Sequence, residues 1–113
     1  MSRIFVGIDN GLSGAFTLMS SDGKIIQWFT MPTYSVTLKT KTKKGKFKKR
    51  KYVDAVAIKE FFDMGNMWGK LTVLIEKPAG SKDVKAAISM ADSFATVRTV
   101  FRVHGVTVHE IRS

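Results

Sequence analysis

Apolar and polar positions fall into short blocks along this chain, and the blocks predict seven regular elements. Residues 3–9, RIFVGID, are β-branched and aromatic and are followed by Gly11 and Gly14, which predicts a first strand. Residues 14–20, GAFTLMS, predict a second, and SDG at 21–23 is a hairpin turn signal. Residues 24–31, KIIQWFTM, predict a third strand, stopped by Pro32. Short turns between the three make an antiparallel meander. Residues 52–63, YVDAVAIKEFFD, space their apolar side chains as one helical face, and the following MGNMWGK closes the helix with two glycines. Residues 71–76, LTVLIE, read as a buried strand that KPAG breaks behind Glu76. Residues 83–104 predict a long helix, with Asp83 as its cap or in its first turn and Gly105 at its end. Residues 106–111, VTVHEI, form a last strand. The order is β-β-β-α-β-α-β, an α/β chain with no internal repeat. The stretch 33–51 has no helical face and reads as a loop inserted between the third strand and the first helix.

Charge changes the picture of that loop. The chain carries a net charge of +10. Residues 39–51, KTKTKKGKFKKRK, hold nine of the 19 Lys and Arg and no acid. The rest of the chain is close to neutral, so one segment carries the excess. A block of this kind suits a polyanion such as a phosphate backbone. The candidate DNA-binding residues are Lys39, Lys41, Lys43, Lys44, Lys46, Lys48, Lys49, Arg50 and Lys51; the plainer alternative is a solvated charge block with no partner.

The remaining composition mostly excludes. At 113 residues one domain, 1–113, is expected. There is no cysteine, which removes disulfides, zinc ribbons and thiol catalysis. No apolar run reaches transmembrane length, and the N-terminus lacks a signal-peptide pattern, so no membrane association and a cytoplasmic location are expected.

Two strands end in an acid, Asp9 after IFVGI and Glu76 after LTVLI. If both strands are central and parallel in one sheet, the two carboxylates lie at the edge where open α/β sheets place ligands. Either acid alone has a plain explanation: a strand-end Asp is a common turn former, and Glu76 beside Lys77 suits a surface ion pair. Together they suit a hard cation, since magnesium takes one or two carboxylates with water and substrate phosphates. Beside a polyanion-binding segment, this points to phosphodiester cleavage.

The ordered motifs resemble RuvC-like Holliday junction resolvases, in particular the small phage-type members. GIDNGLSGA is similar to their first strand and turn, VLIEKP to their second acidic strand, and SMADSFATVRTVFRVHGVTVHEI to their long helix and following strand. The resemblance implies a ribonuclease H-like mixed sheet and magnesium-dependent cleavage of branched DNA, such as four-way junctions, with manganese as a substitute metal. It implies a homodimer and, for a phage-encoded chain, the bacterial host cytoplasm. Asp9 and Glu76 become the metal-binding catalytic carboxylates, with Gly7, Gly11, Ser13 and Gly14 shaping the turn around Asp9.

Two departures from the family pattern stand out. Ala91, Ala95 and Thr99 occupy long-helix positions where the family has glycines, though they keep an i, i+4 row of small residues. No residue matches the family's last acids on a C-terminal helix, so the fold is expected as a form truncated after its fifth sheet strand. One sheet face is then expected to be bare unless a partner chain covers it. Asp83 and Asp92 carry no metal role in the pattern, and His104 and His109 read as structural. A non-catalytic branched-DNA-binding module is the main alternative, with Trp28, Phe47 and Trp68 as stacking surfaces. An actin- or sugar-kinase-like ATPase lobe is a poorer fit, because it needs a second lobe.

Overall fold

A computed structural model describes residues 3–78 and 82–112. Five strands form one mixed sheet: β1 (Ile4–Asp9), β2 (Ala15–Ser20), β3 (Ile25–Thr30), β6 (Leu71–Lys77) and β7 (Thr107–Arg112). Their spatial order is β3-β2-β1-β6-β7, which puts β1 at the centre. The meander predicted from the turns is present: β1 pairs antiparallel with β2, and β2 with β3. β6 and β7 extend the sheet in parallel from the other side of β1. Those parallel connections use the helices α1 (Ala55–Met64) and α2 (Val84–Val103).

Alternation along the strands sorts the sheet into two faces. Val6, Ile8, Phe16, Leu18, Val73 and Ile75 point to one side and are buried with Ile58 and Phe62 of α1 and Phe94, Val97 and Phe101 of α2. Aromatic rings fill much of this core: Phe16 stacks on Phe29 at 4.7 Å, and Phe62 meets Phe101 edge-on at 5.3 Å. The opposite side carries Gly7, Leu74 and His109, and apolar Ile25, Trp28 and Ile111 lie exposed on it.

The basic segment corrects the expectation of a loop. It is a β-hairpin, β4 (Thr33–Lys41) and β5 (Phe47–Val53), forming its own two-stranded sheet. Thr42 and Lys46 close the tip through a 2.7 Å backbone hydrogen bond, and Gly45 supplies the left-handed conformation there, at φ +80°. At the root Thr33 pairs with Val53, and the Asp54 N–H donates to the Pro32 carbonyl at 2.8 Å. The hairpin is almost wholly exposed, and the chain extends 55 × 31 × 24 Å overall.

Because β5 runs through Tyr52 and Val53, the first helix starts at Ala55 and not at residue 52, with the Asp54 carboxylate capping it at the Ala57 N–H, 3.1 Å. Its inward face is then Ile58 and Phe62, while Val56 points to solvent. Trp68–Lys70 forms a short 3-10 turn before β6. The long helix has Asp83 as its N-cap, accepting from the Lys85 N–H, and Gly105 leaves its end at φ +74°. The KPAG break lies partly outside the described residues, since Ala79 to Ser81 are not among them.

Candidate functional site

β1 and β6 run side by side and parallel, with Ile8 in register with Ile75. The next residue on each strand is the acid, so Asp9 and Glu76 leave the same end of adjoining strands. Since Ile8 and Ile75 turn into the core, alternation turns Asp9 and Glu76 to the opposite face, and both are exposed. Adjoining strands lie roughly 4.8 Å apart, within reach of one cation for two carboxylates. Among the described residues neither carboxylate has a side-chain hydrogen bond or ion pair. Two unpaired carboxylates so placed supply hard oxygen donors, and the donor set fits a magnesium-like ion whose other ligands are water and phosphate oxygens. Among the described residues no group of three His, Cys, Asp or Glu side chains gathers around such a point.

The turn after Asp9 is tightly built. The Gly14 N–H donates to the Gly11 carbonyl at 3.0 Å, and the Gly14 carbonyl accepts from the Met31 N–H at 2.9 Å. A Cβ on Gly14 would stand 1.9 Å from the Asp9 carbonyl oxygen, so only glycine fits without moving the backbone that carries the acid. Gly11 has φ +111°, and a Cβ there would stand 3.2 Å from the Met90 sulfur. Gly7 departs from its expected role: it lies inside β1, opposite Thr17, and takes no part in the turn.

Asn10 contributes what the sequence pattern could not reveal. It is 8% exposed, and its amide donates to the Met90 carbonyl at 3.3 Å, tying the turn to α2. Its Oδ1 is buried without a hydrogen-bond partner among the described residues. An Asn after a strand reads only as a turn former, and its packing against a helix eighty residues away gives no local signal.

The hairpin reaches the same neighbourhood. Lys49, Arg50, Lys51 and Tyr52 line a cleft with Leu12 of the acidic turn and with Lys85, Ser89 and Asp92 of α2. Leu12 and Ser89 also line the shallow depression that contains Asp9, Ser13 and Gly14. The two hollows meet at Leu12 and Ser89, so three cationic side chains of β5 stand near the Asp9 turn, while Glu76 lines neither hollow. Lys39, Lys41 and Lys48 lie on the arm away from that cleft, and Lys43, Lys44 and Lys46 lie at its tip.

Other candidates resolve differently. Trp28 is 65% exposed on the open sheet face and Phe47 is 53% exposed near the hairpin tip, with the Lys41 ammonium 5.1 Å from its ring. Trp68 is not an open stacking surface. Its ring lies flat on His104 at 3.6 Å, and its indole N–H donates to Asp63 at 2.7 Å. Nδ1 of His104 lies 2.8 Å from the Val100 carbonyl, which completes a structural role for that ring. Hydrogen bonds from Lys59 and then from Trp68 hold the Asp63 carboxyl below the ordinary carboxylate range.

No protein-family model matches the chain, and no curated protein matches its sequence. Among solved structures it is similar to RuvC of T. thermophilus, solved in complex with Holliday junction substrate, with a TM-score of 0.63 over 97% of this chain at 12% identity. The chain spans 64% of that protein's length. The likeness shows the fold: a mixed α/β chain with a RuvC-like five-stranded sheet. Among the described residues no helix is long and apolar enough to cross a membrane.

Proposed function

We propose that this chain is a divalent-metal-dependent, structure-selective DNA endonuclease of the RuvC-like Holliday junction resolvase type, close to the small phage-type members. The observation that carries this is the placement of Asp9 and Glu76, exposed and unpaired, at one end of adjoining parallel strands, beside a cleft lined by Lys49, Arg50 and Lys51. Branched DNA is the substrate class, by analogy with the junction bound to the fold neighbour. Asp9 and Glu76 hold Mg2+, or Mn2+ in its place. Such an ion, when bound, lowers the pKa of water and polarises the scissile phosphate. The hairpin cations draw the phosphate backbone toward the carboxylates, and the Gly11–Gly14 turn holds Asp9 at the sheet edge. The chain works in the cytoplasm as a homodimer, or with a partner over the exposed Ile25, Trp28 and Ile111.

The test is cleavage of an end-labelled four-way junction with Mg2+, compared with Asp9→Asn, Glu76→Gln and excess chelator. Expected are nicks near the branch point that each change abolishes, while junction binding by Asp9→Asn persists. Junction binding with no Asp9-dependent cleavage would instead support a non-catalytic branched-DNA-binding module. One observation favours that second reading: the described residues gather only two carboxylates at the site.

A further inference from the structure

In the root half of the hairpin, register divides the side chains into two chemically different sets. Ser35 pairs with Lys51 and Thr37 with Lys49, so one face carries hydroxyls opposite ammonium groups. Tyr34 pairs with Tyr52 and Val36 with Arg50, so the other face carries two aromatic rings, an aliphatic side chain and a guanidinium. The tyrosine rings lie 5.7 Å apart at 30° to one another, and Tyr34 is 48% exposed. Tyr52 is partly covered where β5 approaches α2, but the hairpin gains little by presenting the Tyr34 ring to water. A cross-strand aromatic pair does steady a hairpin, but that leaves the neighbouring Arg50 and the exposure of Tyr34 unexplained; toward the tip the faces mix, Lys48 following Arg50 and Phe47 following Lys49.

Hydroxyls and lysines meet phosphate oxygens whatever the sequence or strandedness. Aromatic rings and arginine planes stack on bases, which is possible only where bases are unpaired and splayed. Tyr52 and Arg50, together with Lys49 and Lys51, line the cleft beside the Asp9 turn, so rings and cations of both faces lie near the acid. The surrounding excess of positive charge matches a nucleic acid and no neutral or cationic partner.

We infer that the Tyr34–Tyr52 face of the hairpin stacks on unpaired DNA bases, while the Ser35, Thr37, Lys49 and Lys51 face tracks phosphates. This rests on the DNA-endonuclease reading and adds a feature the protein selects, namely unstacked bases close to the scissile phosphate.

Fluorescence anisotropy with the full chain, at one fixed low salt concentration, separates the two faces. The probes are an oligothymidine single strand and a blunt duplex of equal length. Tyr34→Ala is expected to weaken single-strand binding by about 5- to 150-fold, the range for losing one base stack, and to leave duplex binding unchanged. Tyr34→Phe keeps the ring and is expected to bind both DNAs as the parent does. Lys49→Ala with Lys51→Ala is expected to weaken both alike and to flatten the log-affinity against log-salt slope on duplex by about 1.8, at about 0.9 per phosphate. Equal losses on both DNAs with Tyr34→Ala, or no loss on either, would overturn the inference by reducing the pair to a hairpin brace. If the parent cuts junctions through Asp9 while Tyr34→Ala behaves in either way, only this inference falls. A parent that binds neither DNA overturns the endonuclease reading along with it.

Discussion

β1–β2 and β4–β5 are both antiparallel pairs joined by a short connection, yet they are held together by different physics. The first pair sends Val6, Ile8, Phe16 and Leu18 into a shared core beneath two helices. The second has one buried residue, Val53 at its root, and otherwise presents lysines, hydroxyls and a few rings to solvent. In the body, burial fixes which face each side chain takes, because a one-residue slip would expose the whole apolar set. In the arm, register depends on the tip turn, the root pairing and individual cross-strand contacts. Stability therefore resides in the body, and the arm is free to be specified by what it binds.

Mutations can break this contrast. The largest expected effect is in the body: Phe62, fully buried against Phe16, Trp68 and Phe101, should cost about 3–5 kcal/mol when replaced by Ala, read from urea unfolding. The same change at Phe47 removes an exposed ring and one cation–π contact and should cost at most about 1 kcal/mol. Comparable losses at the two positions would mean the arm is as integral to folding as the core.

An intermediate effect is expected where arm meets body. Asp54→Ala removes the cap on α1 one residue after β5 ends and should cost about 1 kcal/mol, with Asp54→Ser recovering most of it. A loss confined to helical circular dichroism, with the hairpin unaffected, would sharpen the boundary between the two regions.

The smallest effect concerns the surface of the body, which should behave much like the arm. Asp63 is solvent-exposed, and its carboxyl is held below the ordinary range by Lys59 first and Trp68 second. Because the folded value is depressed, its stabilisation is present above the unfolded carboxylate range and is lost as pH falls through the folded value. Asp63→Asn should therefore narrow the stability gap between neutral and strongly acidic pH without moving the neutral-pH chemistry of Asp9. An unchanged acid limb in thermal melts would show that the contact contributes nothing measurable.

The same contrast explains what was legible in the sequence. The sheet strands and the long helix announce themselves because their apolar residues repeat with the period of the element that buries them, as in IFVGI, AFTLM and LTVLI. Asp9 and Glu76 could be singled out for a related reason: each is the first charge after a run that must be buried. Their side-by-side placement required the parallel pairing of β1 with β6, which no local pattern encodes. The hairpin was obscured because its strands bury almost nothing, and five successive residues, Lys48 to Tyr52, include four cations. A weaker signal was present in β4, where Tyr34, Val36 and Leu38 alternate with Ser35 and Thr37, and in Lys44–Gly45 at the turn. The charge block outweighed it. Trp68 carries no local sign of its packed role, because its partners, His104 and Asp63, come from two different helix ends.

The closed root of the hairpin has a consequence for how the chain could change over generations. Pro32 and Asp54 are hydrogen-bonded to one another, and Thr33 and Val53 are paired directly above them, so the arm leaves the body and returns to it at a single point. No residue between Tyr34 and Tyr52 belongs to the buried core, so the arm can change in length or sequence without removing a core side chain, and the entropy of closing a longer insert rises only slowly with its length. The arm is therefore a cassette: it can be swapped for one with a different preference while the carboxylate end of the sheet stays in place.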